Sequence, residues 1–123
     1  MAYFALVGIG GAMGAMTRHM IDRLAASQFD SPLVSTFVVN ISGSFVLGIL
    51  VGFVASHHTL PEETRVFLAV GFLASYTTFS TLSVATIHLL QKGDLFAAIL
   101  NLSGSVLIGL IAAFAGMMLA KTI

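Results

Sequence analysis

Charged residues are scarce in this chain. Asp, Glu, Lys and Arg together make up 8% of its 123 residues, whereas hydrophobic residues make up 58%. Soluble domains average about 25% charged residues, so the composition indicates an integral membrane protein surrounded by lipid. Five basic residues balance five acidic ones, and this balance gives no indication of a nucleic-acid partner.

Other absences exclude whole classes of chemistry. The chain has no cysteine, which rules out disulfides, thiolate chemistry and cysteine-based metal sites. No Asp or Glu falls inside an apolar segment, whereas transporters coupled to protons or cations usually need an intramembrane carboxylate. No Ser–His or paired-carboxylate arrangement lies within these segments, so we expect no enzyme. No basic stretch precedes the first segment, so we expect no cleaved signal peptide.

Four apolar segments, each long enough to cross a bilayer, account for most of the chain. They cover about residues 2–21, 33–56, 65–90 and 95–120. We therefore predict one all-α transmembrane domain over residues 1–123, in the cell membrane, with polar connections such as residues 22–32. Gly10 and Gly14, four residues apart, predict close helix packing in the first segment.

A polar run from Gly71 to Ser83, GFLASYTTFSTLS, interrupts the third segment. It places six hydroxyls at membrane depth: Ser75, Thr77, Thr78, Ser80, Thr81 and Ser83. Polar or broken backbone is tolerated there where protein buries it or where it lines a wet cavity. We predict that this run lines a path or binding site, with the helix broken at Gly71 or within residues 74–77. The alternative is that the hydroxyls bond to carbonyls of their own helix.

The second segment carries a polar stripe formed by Thr36, Asn40 and Ser44, at spacing i, i+4, i+8. Asn40 is either an interhelical clamp worth about 1 kcal/mol or an N–H donor to an anion. Asn101 and Ser105 repeat the spacing in the fourth segment. Arg18, near the end of the first segment, either reaches the interface or faces an anion in a vestibule.

Neutral hydrogen-bond donors dominate this buried polar inventory. Hydroxyl and amide groups donate to an anion without adding a fixed charge. Phe79 lies inside the hydroxyl run, where its electropositive ring edge could face an anion, although it could also be an ordinary packing ring. The residues therefore favour a path for an anion but do not identify which one.

Basic residues give almost no orientation signal. Arg65 and Lys121 fall on one side of the predicted membrane, and Arg18, Arg23 and Lys92 fall on the other. Positive charge in short loops normally fixes orientation, and two against three is nearly no bias. We therefore expect insertion in both directions, and an antiparallel dimer that also covers the polar stripes.

Three motifs, in order along the chain, resemble the Fluc/CrcB family of fluoride channels. They are GGAMGAMTRH (Gly10 to His19), STFVVNISGSFVLG (Ser35 to Gly48) and TTFST (Thr77 to Thr81), the last preceded by Gly71-Phe72-Leu73. The resemblance implies a passive fluoride channel with two pores in an antiparallel dual-topology dimer. The partner would be a second copy or a paralogue.

The resemblance also implies roles for particular residues. Arg18 would line a vestibule, and the carbonyls of Ala74 and Thr77 would hold a structural sodium ion at the dimer centre. The fluoride pore would be lined by Thr36, Asn40, Phe79, Ser80, Thr81, Leu82 and Ser105.

Several positions depart from the family pattern. Leu82 replaces a second phenylalanine, Ala85 a glutamate and Asn101 a tyrosine. Ala74-Ser75 replaces a glycine pair, so a left-handed backbone there would be strained.

Two other functions remain open from the residues. A small multidrug-type dual-topology antiporter would need a carboxylate in the first helix, and residues 2–16 contain none. A non-transporting membrane subunit would give no ion flux by itself.

Overall fold

The computed structural model describes residues 1–57 and 60–123, and all regular structure in this part of the chain is helical. The third helical segment, α3, consists of three consecutive pieces, of which the middle one is wound into wider π-type turns. The bounds are α1 Ala2–Phe29, α2 Pro32–His57, α3 Glu62–Arg65 with Val66–Leu73 and Ala74–Tyr76, α4 Phe79–Gln91 and α5 Leu95–Ala120.

Within residues 1–57 and 60–123, three stretches are long and apolar enough to cross a membrane: Pro32–Ser56, Glu62–Gln91 and Leu95–Ala120. Large apolar side chains such as Leu110 and Phe114 on α5 are exposed, as expected where helices meet lipid. The chain is therefore a multi-pass membrane protein. The predicted span over residues 2–21 is helical, but its glycines, Arg18 and His19 make it less apolar, and its crossing of the membrane stays a prediction.

The connection predicted over residues 22–32 is wrong for most of its length. α1 continues to Phe29 and ends where Asp30 adopts a left-handed conformation (φ 48°, ψ 32°). Leu24, Ala25 and Ala26 are good helix formers, and no glycine or proline stops the helix earlier. Polar residues mark the point at which a helix leaves the hydrocarbon region. The helix itself can continue beyond that point, as α1 does.

Contacts at the two ends of the helices establish an up-and-down order. At one end the Tyr3 hydroxyl donates to Glu62 Oε2 at 3.2 Å, which joins the starts of α1 and α3. At the other end Asp30 and Lys92 line one groove, so the α1–α2 and α4–α5 connections lie together. The α4–α5 connection is short because Gly93, with φ 79°, makes the turn and Asp94 then caps α5 by accepting from Ala97 N at 3.0 Å.

Two helix pairs form the body of the fold, α1 with α3 and α2 with α5. Glycines let their backbones touch. A Cβ at Gly10 would lie 2.6 Å from the Phe67 carbonyl oxygen, and one at Gly14 would overlap the Phe72 carbonyl. Gly48 in α2 is likewise seated on the Ala113 backbone of α5. The packing role predicted for Gly10 and Gly14 is confirmed.

We predict that Gly14→Ala destabilises the protein whereas Gly8→Ala does not. The two glycines share α1, but a Cβ at Gly8 has no neighbour within 4 Å. Overpacking at Gly14 should cost about 1–3 kcal/mol, while alanine at Gly8 should add up to about 1 kcal/mol of helix stability. Thermal unfolding of both variants in detergent measures the difference. Equal midpoints would contradict the proposed α1–α3 contact.

Candidate functional site

The third membrane segment is broken at two residues. Thr77 (φ −79°, ψ 159°) and Thr78 (φ −151°, ψ 114°) are extended, between the last residue of α3, Tyr76, and the first of α4, Phe79. The break therefore lies at the end of the predicted stretch and not at Gly71. Two residues of extended backbone at membrane depth need partners for their N–H and C=O groups.

Asn40 of α2 supplies partners for both polar groups of Thr78. Its Nδ2 donates to the Thr78 carbonyl oxygen at 3.0 Å, and its Oδ1 accepts from Thr78 N at 2.8 Å. The side-chain amide thus pairs with the backbone as a neighbouring strand would. An amide carries two N–H groups, so one remains after this pairing. The clamp interpretation of Asn40 is correct, and the pairing leaves a donor for the other interpretation.

The backbone at Ala74 is not left-handed. It is right-handed helical (φ −65°, ψ −31°), and within the described residues only Asp30 and Gly93 have positive φ. The strain that a left-handed backbone would cause at Ala74-Ser75 therefore does not arise. The break is made by extended threonines, which tolerate this conformation without a glycine.

Arg18 reaches the break from α1. Its Nη1 lies 3.4 Å from the Thr77 carbonyl oxygen, and the side chain is half-buried. The guanidinium keeps further donors free. Arg18 therefore lies beside the break.

Five of the six hydroxyls of the polar run divide into two groups. Thr77 and Ser83 donate to carbonyls of their own helical segments, Leu73 and Phe79, both at 3.0 Å, as the alternative predicted. Thr78 Oγ1 instead donates to Thr81 Oγ1 at 3.1 Å and lies 3.2 Å from Ser80 Oγ, forming a cluster at the start of α4. Thr78 also caps α4 by accepting from Thr81 N at 3.2 Å.

An open groove of about 290 Å³ runs along the break. Asn40 and Ser44 line it from α2, and Thr78, Phe79 and Leu82 line it from the break and α4. Phe79 is 76% exposed whereas Leu82 is 5% exposed. The two residues thus contribute differently: Phe79 projects outward beside the groove, and Leu82 forms part of its packed wall.

A second groove continues the polar path toward the end of α1. Thr36 and Thr81 line it together with Asp22 and Asp30. The stripe on α2 and the hydroxyls of α4 therefore run side by side from one groove to the next. The two aspartates were not predicted at this site, because the first span was expected to end at residue 21 and both aspartates lie beyond it.

Polar residues of α5 lie apart from these two grooves. Asn101 Nδ2 donates to Thr86 Oγ1 at 3.1 Å, and Thr86 Oγ1 donates to the Leu82 carbonyl at 2.8 Å. Ser105 is buried, and its hydroxyl has no hydrogen-bond partner within residues 1–57 and 60–123. A buried unpaired hydroxyl is costly, so Ser105 is a position where a ligand or water would be stabilised.

These features define a class of protein, a small multi-pass membrane protein whose third membrane segment is broken and clamped at mid-length. The sequence model of the family described as CrcB-like protein, Camphor Resistance (CrcB), matches residues 5–117. The chain belongs to this family.

Curated relatives extend the match over nearly the whole chain. It is 43% identical over 117 residues to fluoride-specific ion channel FluC 1 of Listeria monocytogenes, covering 94% of this chain and 95% of the relative. It is 37% identical over 117 residues to the FluC of Pyrococcus horikoshii, covering 95% and 94%. It is 35% identical over 119 residues to FluC 2 of Nitrobacter hamburgensis, covering 96% of each.

We predict that Asn40→Leu destabilises the break far more than Asn101→Leu destabilises α5. The first change removes both partners of Thr78 and leaves an N–H and a C=O unpaired, at about 1–3 kcal/mol each. The second removes one bond, while Thr86 keeps its bond to the Leu82 carbonyl. Thermal unfolding of the two variants measures this. A drop for Asn40→Leu no larger than that for Asn101→Leu would contradict the clamp.

Proposed function

We propose that this protein is a passive, fluoride-selective channel that lets fluoride leave the cell, and not an enzyme. The observation that carries the proposal is the donor that remains on Asn40. That amide faces a groove lined by hydroxyls and by Phe79, in a family whose curated relatives are named fluoride-specific ion channels.

The proposed mechanism uses attraction without fixed charge. Fluoride is small and loses much hydration energy on entering the protein, so it needs close donors. The second N–H of Asn40 and the Thr78–Ser80–Thr81 hydroxyl cluster supply neutral donors at the groove, and the Phe79 ring edge adds a weak positive field. Neutral groups let the ion bind and still leave, as conduction requires. Arg18 beside the break raises the local anion concentration.

A second subunit completes the pore in this proposal. Phe79, Ser80 and Thr81 are exposed on the monomer although they lie in the middle of a membrane segment. Exposed hydroxyls at that depth need a protein partner. The balanced loop charges favour an antiparallel copy inserted in the opposite direction. A paralogue is the alternative partner, since the names FluC 1 and FluC 2 among the relatives point to more than one such channel in some organisms.

A sodium ion at the dimer centre fits the carbonyls available at the break. In a continuous helix Thr78 N–H would donate to the Ala74 carbonyl, but here it donates to Asn40. The Thr77 carbonyl receives one long bond from Arg18 and keeps a lone pair. Carbonyl oxygens are suitable ligands for a hard cation. Ala74 and Thr77 of both subunits would hold the ion and fix the two breaks together.

The alternative of a small multidrug-type antiporter is less well supported. Such a transporter would need a carboxylate deep in the first helix, and α1 has its first acidic residue at Asp22. A non-transporting subunit is the remaining alternative, and the efflux experiment below tests it.

We predict that liposomes holding only this protein release fluoride and retain chloride. Phe79→Ile keeps much of the bulk but removes the ring quadrupole, and should lower fluoride efflux by about tenfold or more. Phe114→Ile is the matched control, since Phe114 is also exposed but lies on α5 and does not line the groove. A fluoride-selective electrode follows the release.

Leu82→Phe extends the same experiment. Leu82 lines the groove, so a ring there should preserve or raise fluoride efflux while chloride stays excluded. No fluoride release from wild-type protein would favour the non-transporting subunit. Equal release from wild-type and Phe79→Ile protein would remove Phe79 from the pore.

We also predict that sodium, but not potassium at equal ionic strength, raises the thermal midpoint of the purified dimer and supports efflux. Carbonyl cages distinguish cations by cavity size and ligand number, so a site built for sodium should not be filled equally well by potassium. Identical midpoints and efflux in the two salts would exclude a sodium-specific site at Ala74 and Thr77.

A further inference from the structure

Tyr76, the last residue of α3 before the break, is bound to α2 through its hydroxyl. Its oxygen lies 2.8 Å from Ser42 Oγ, and its ring stacks on Phe72 with centroids 5.9 Å apart. Only 8% of Tyr76 is exposed. A buried phenol satisfied by a single partner indicates a specific contact and not chance proximity.

The direction of this hydrogen bond follows from the second partner of Ser42. Ser42 Oγ lies 2.6 Å from the Val38 carbonyl of its own helix, and a serine hydroxyl has one proton to give. Ser42 therefore donates to Val38, and Tyr76 donates to Ser42. The two hydrogen bonds, from Tyr76 to Ser42 and from Ser42 to Val38, point in the same direction, so each bond polarises the other.

The position of this bond relates it to the site. On α2, the Asn40 side chain is hydrogen-bonded to the Thr78 backbone, and two residues further on Ser42 Oγ is hydrogen-bonded to the Tyr76 hydroxyl. Thr77 lies between the two held residues. Gly43 of α2 packs directly against Thr77 and Tyr76. A Cβ at Gly43 would overlap Thr77 Cγ2 and lie 3.2 Å from Tyr76 Cδ1. The backbone on both sides of Thr77 is therefore fixed to one rigid helix.

We propose that Ser42 and Tyr76 are a pair of positioning residues that fix the end of α3, and with it the Thr77 carbonyl and the angle at which Phe79 enters the groove. This proposal rests on the proposed channel function for its consequence in conduction, but not for its structural part. Without the hydroxyl bond, the end of α3 would lose its side-chain contact with α2, while Asn40 would still hold Thr78. Thr77 and Phe79 would then lose their fixed relation to Asn40.

The test compares Tyr76→Phe, Ser42→Ala and the double variant in purified protein by hydrogen exchange. Peptides covering residues 77–82 should exchange faster by about fivefold or more in each single variant, because the Thr78 amide is protected within the break. The double variant should exchange no faster than either single one, since both changes remove the same bond. Exchange in α5 should stay at the wild-type rate. Ser42→Thr, which keeps a hydroxyl, should restore protection.

Matched controls exist for both residues. Tyr3, the other of the two tyrosines, has its hydroxyl at an exposed contact with Glu62, and Ser103 bonds only to a carbonyl of its own helix. Tyr3→Phe and Ser103→Ala should leave the break unchanged. In liposomes, Tyr76→Phe should lower fluoride efflux by about tenfold with the protein still dimeric.

Wild-type exchange at residues 77–82 in both single variants would overturn the proposal, as would effects that multiply in the double variant. Faster exchange throughout the protein, or in the Ser42→Thr variant as well, would indicate a general stabilising role and also overturn it. If Tyr76→Phe does not fold, the exchange rates of Ser42→Ala and Ser42→Thr at residues 77–82 decide whether the proposal holds. Absence of fluoride efflux from wild-type protein would contradict the channel function but leave the exchange result to judge the pair.

Discussion

Two hydrogen bonds between the Asn40 side chain and the Thr78 backbone are the constraint on which the rest of the site depends. A helix interrupted at membrane depth exposes an N–H and a C=O to a medium that cannot satisfy them. At 2.8 and 3.0 Å, the amide satisfies both at once. Thr78 is then free to be extended and to start α4, and its side chain is available to cap that helix.

The break also reorganises the groups around it. Diverting Thr78 N–H to Asn40 deprives the Ala74 carbonyl of its regular helix donor, while Arg18 approaches the Thr77 carbonyl. Phe79 is turned outward and Leu82 inward. One interaction thus leaves one N–H of Asn40 and the Ala74 carbonyl without their regular partners, and these are the groups that the proposed function uses. The residues that form the break and its clamp therefore also line the candidate binding site.

Sequence patterns predicted the helices and the place of the break well because they depend on local physics. Long apolar runs mark the segments of α2 to α5, Gly10 and Gly14 mark a close contact, and the hydroxyl run marks the interruption. The end of α1 was wrong because Leu24, Ala25 and Ala26 keep a helix going beyond the apolar part. A left-handed backbone at Ala74 would have been strained, but it does not occur because the helix is broken at the threonines.

The partners in the site could not be predicted from the pattern. The stripe on α2 placed Asn40 on the helix face that contacts the break. Its pairing with Thr78, however, depends on how closely α2 packs against the break, which the stripe does not show. The same holds for Tyr76 and Ser42, which are 34 residues apart and belong to different helices. The grooves also brought Asp22 and Asp30 next to Thr36, because α1 is longer than its apolar part. Such juxtapositions follow from packing and not from periodicity.

Fluoride efflux through Asn40→Asp protein tests most directly whether the clamp is also the donor. A protonated carboxyl at this position can accept from Thr78 N and donate to the Thr78 carbonyl as asparagine does. The break should therefore stay intact, but the carboxyl has no second N–H for an anion. The account predicts a folded protein with a near-wild-type thermal midpoint and no fluoride efflux. Efflux at the wild-type rate from that protein would show that Asn40 holds the break and takes no part in conduction.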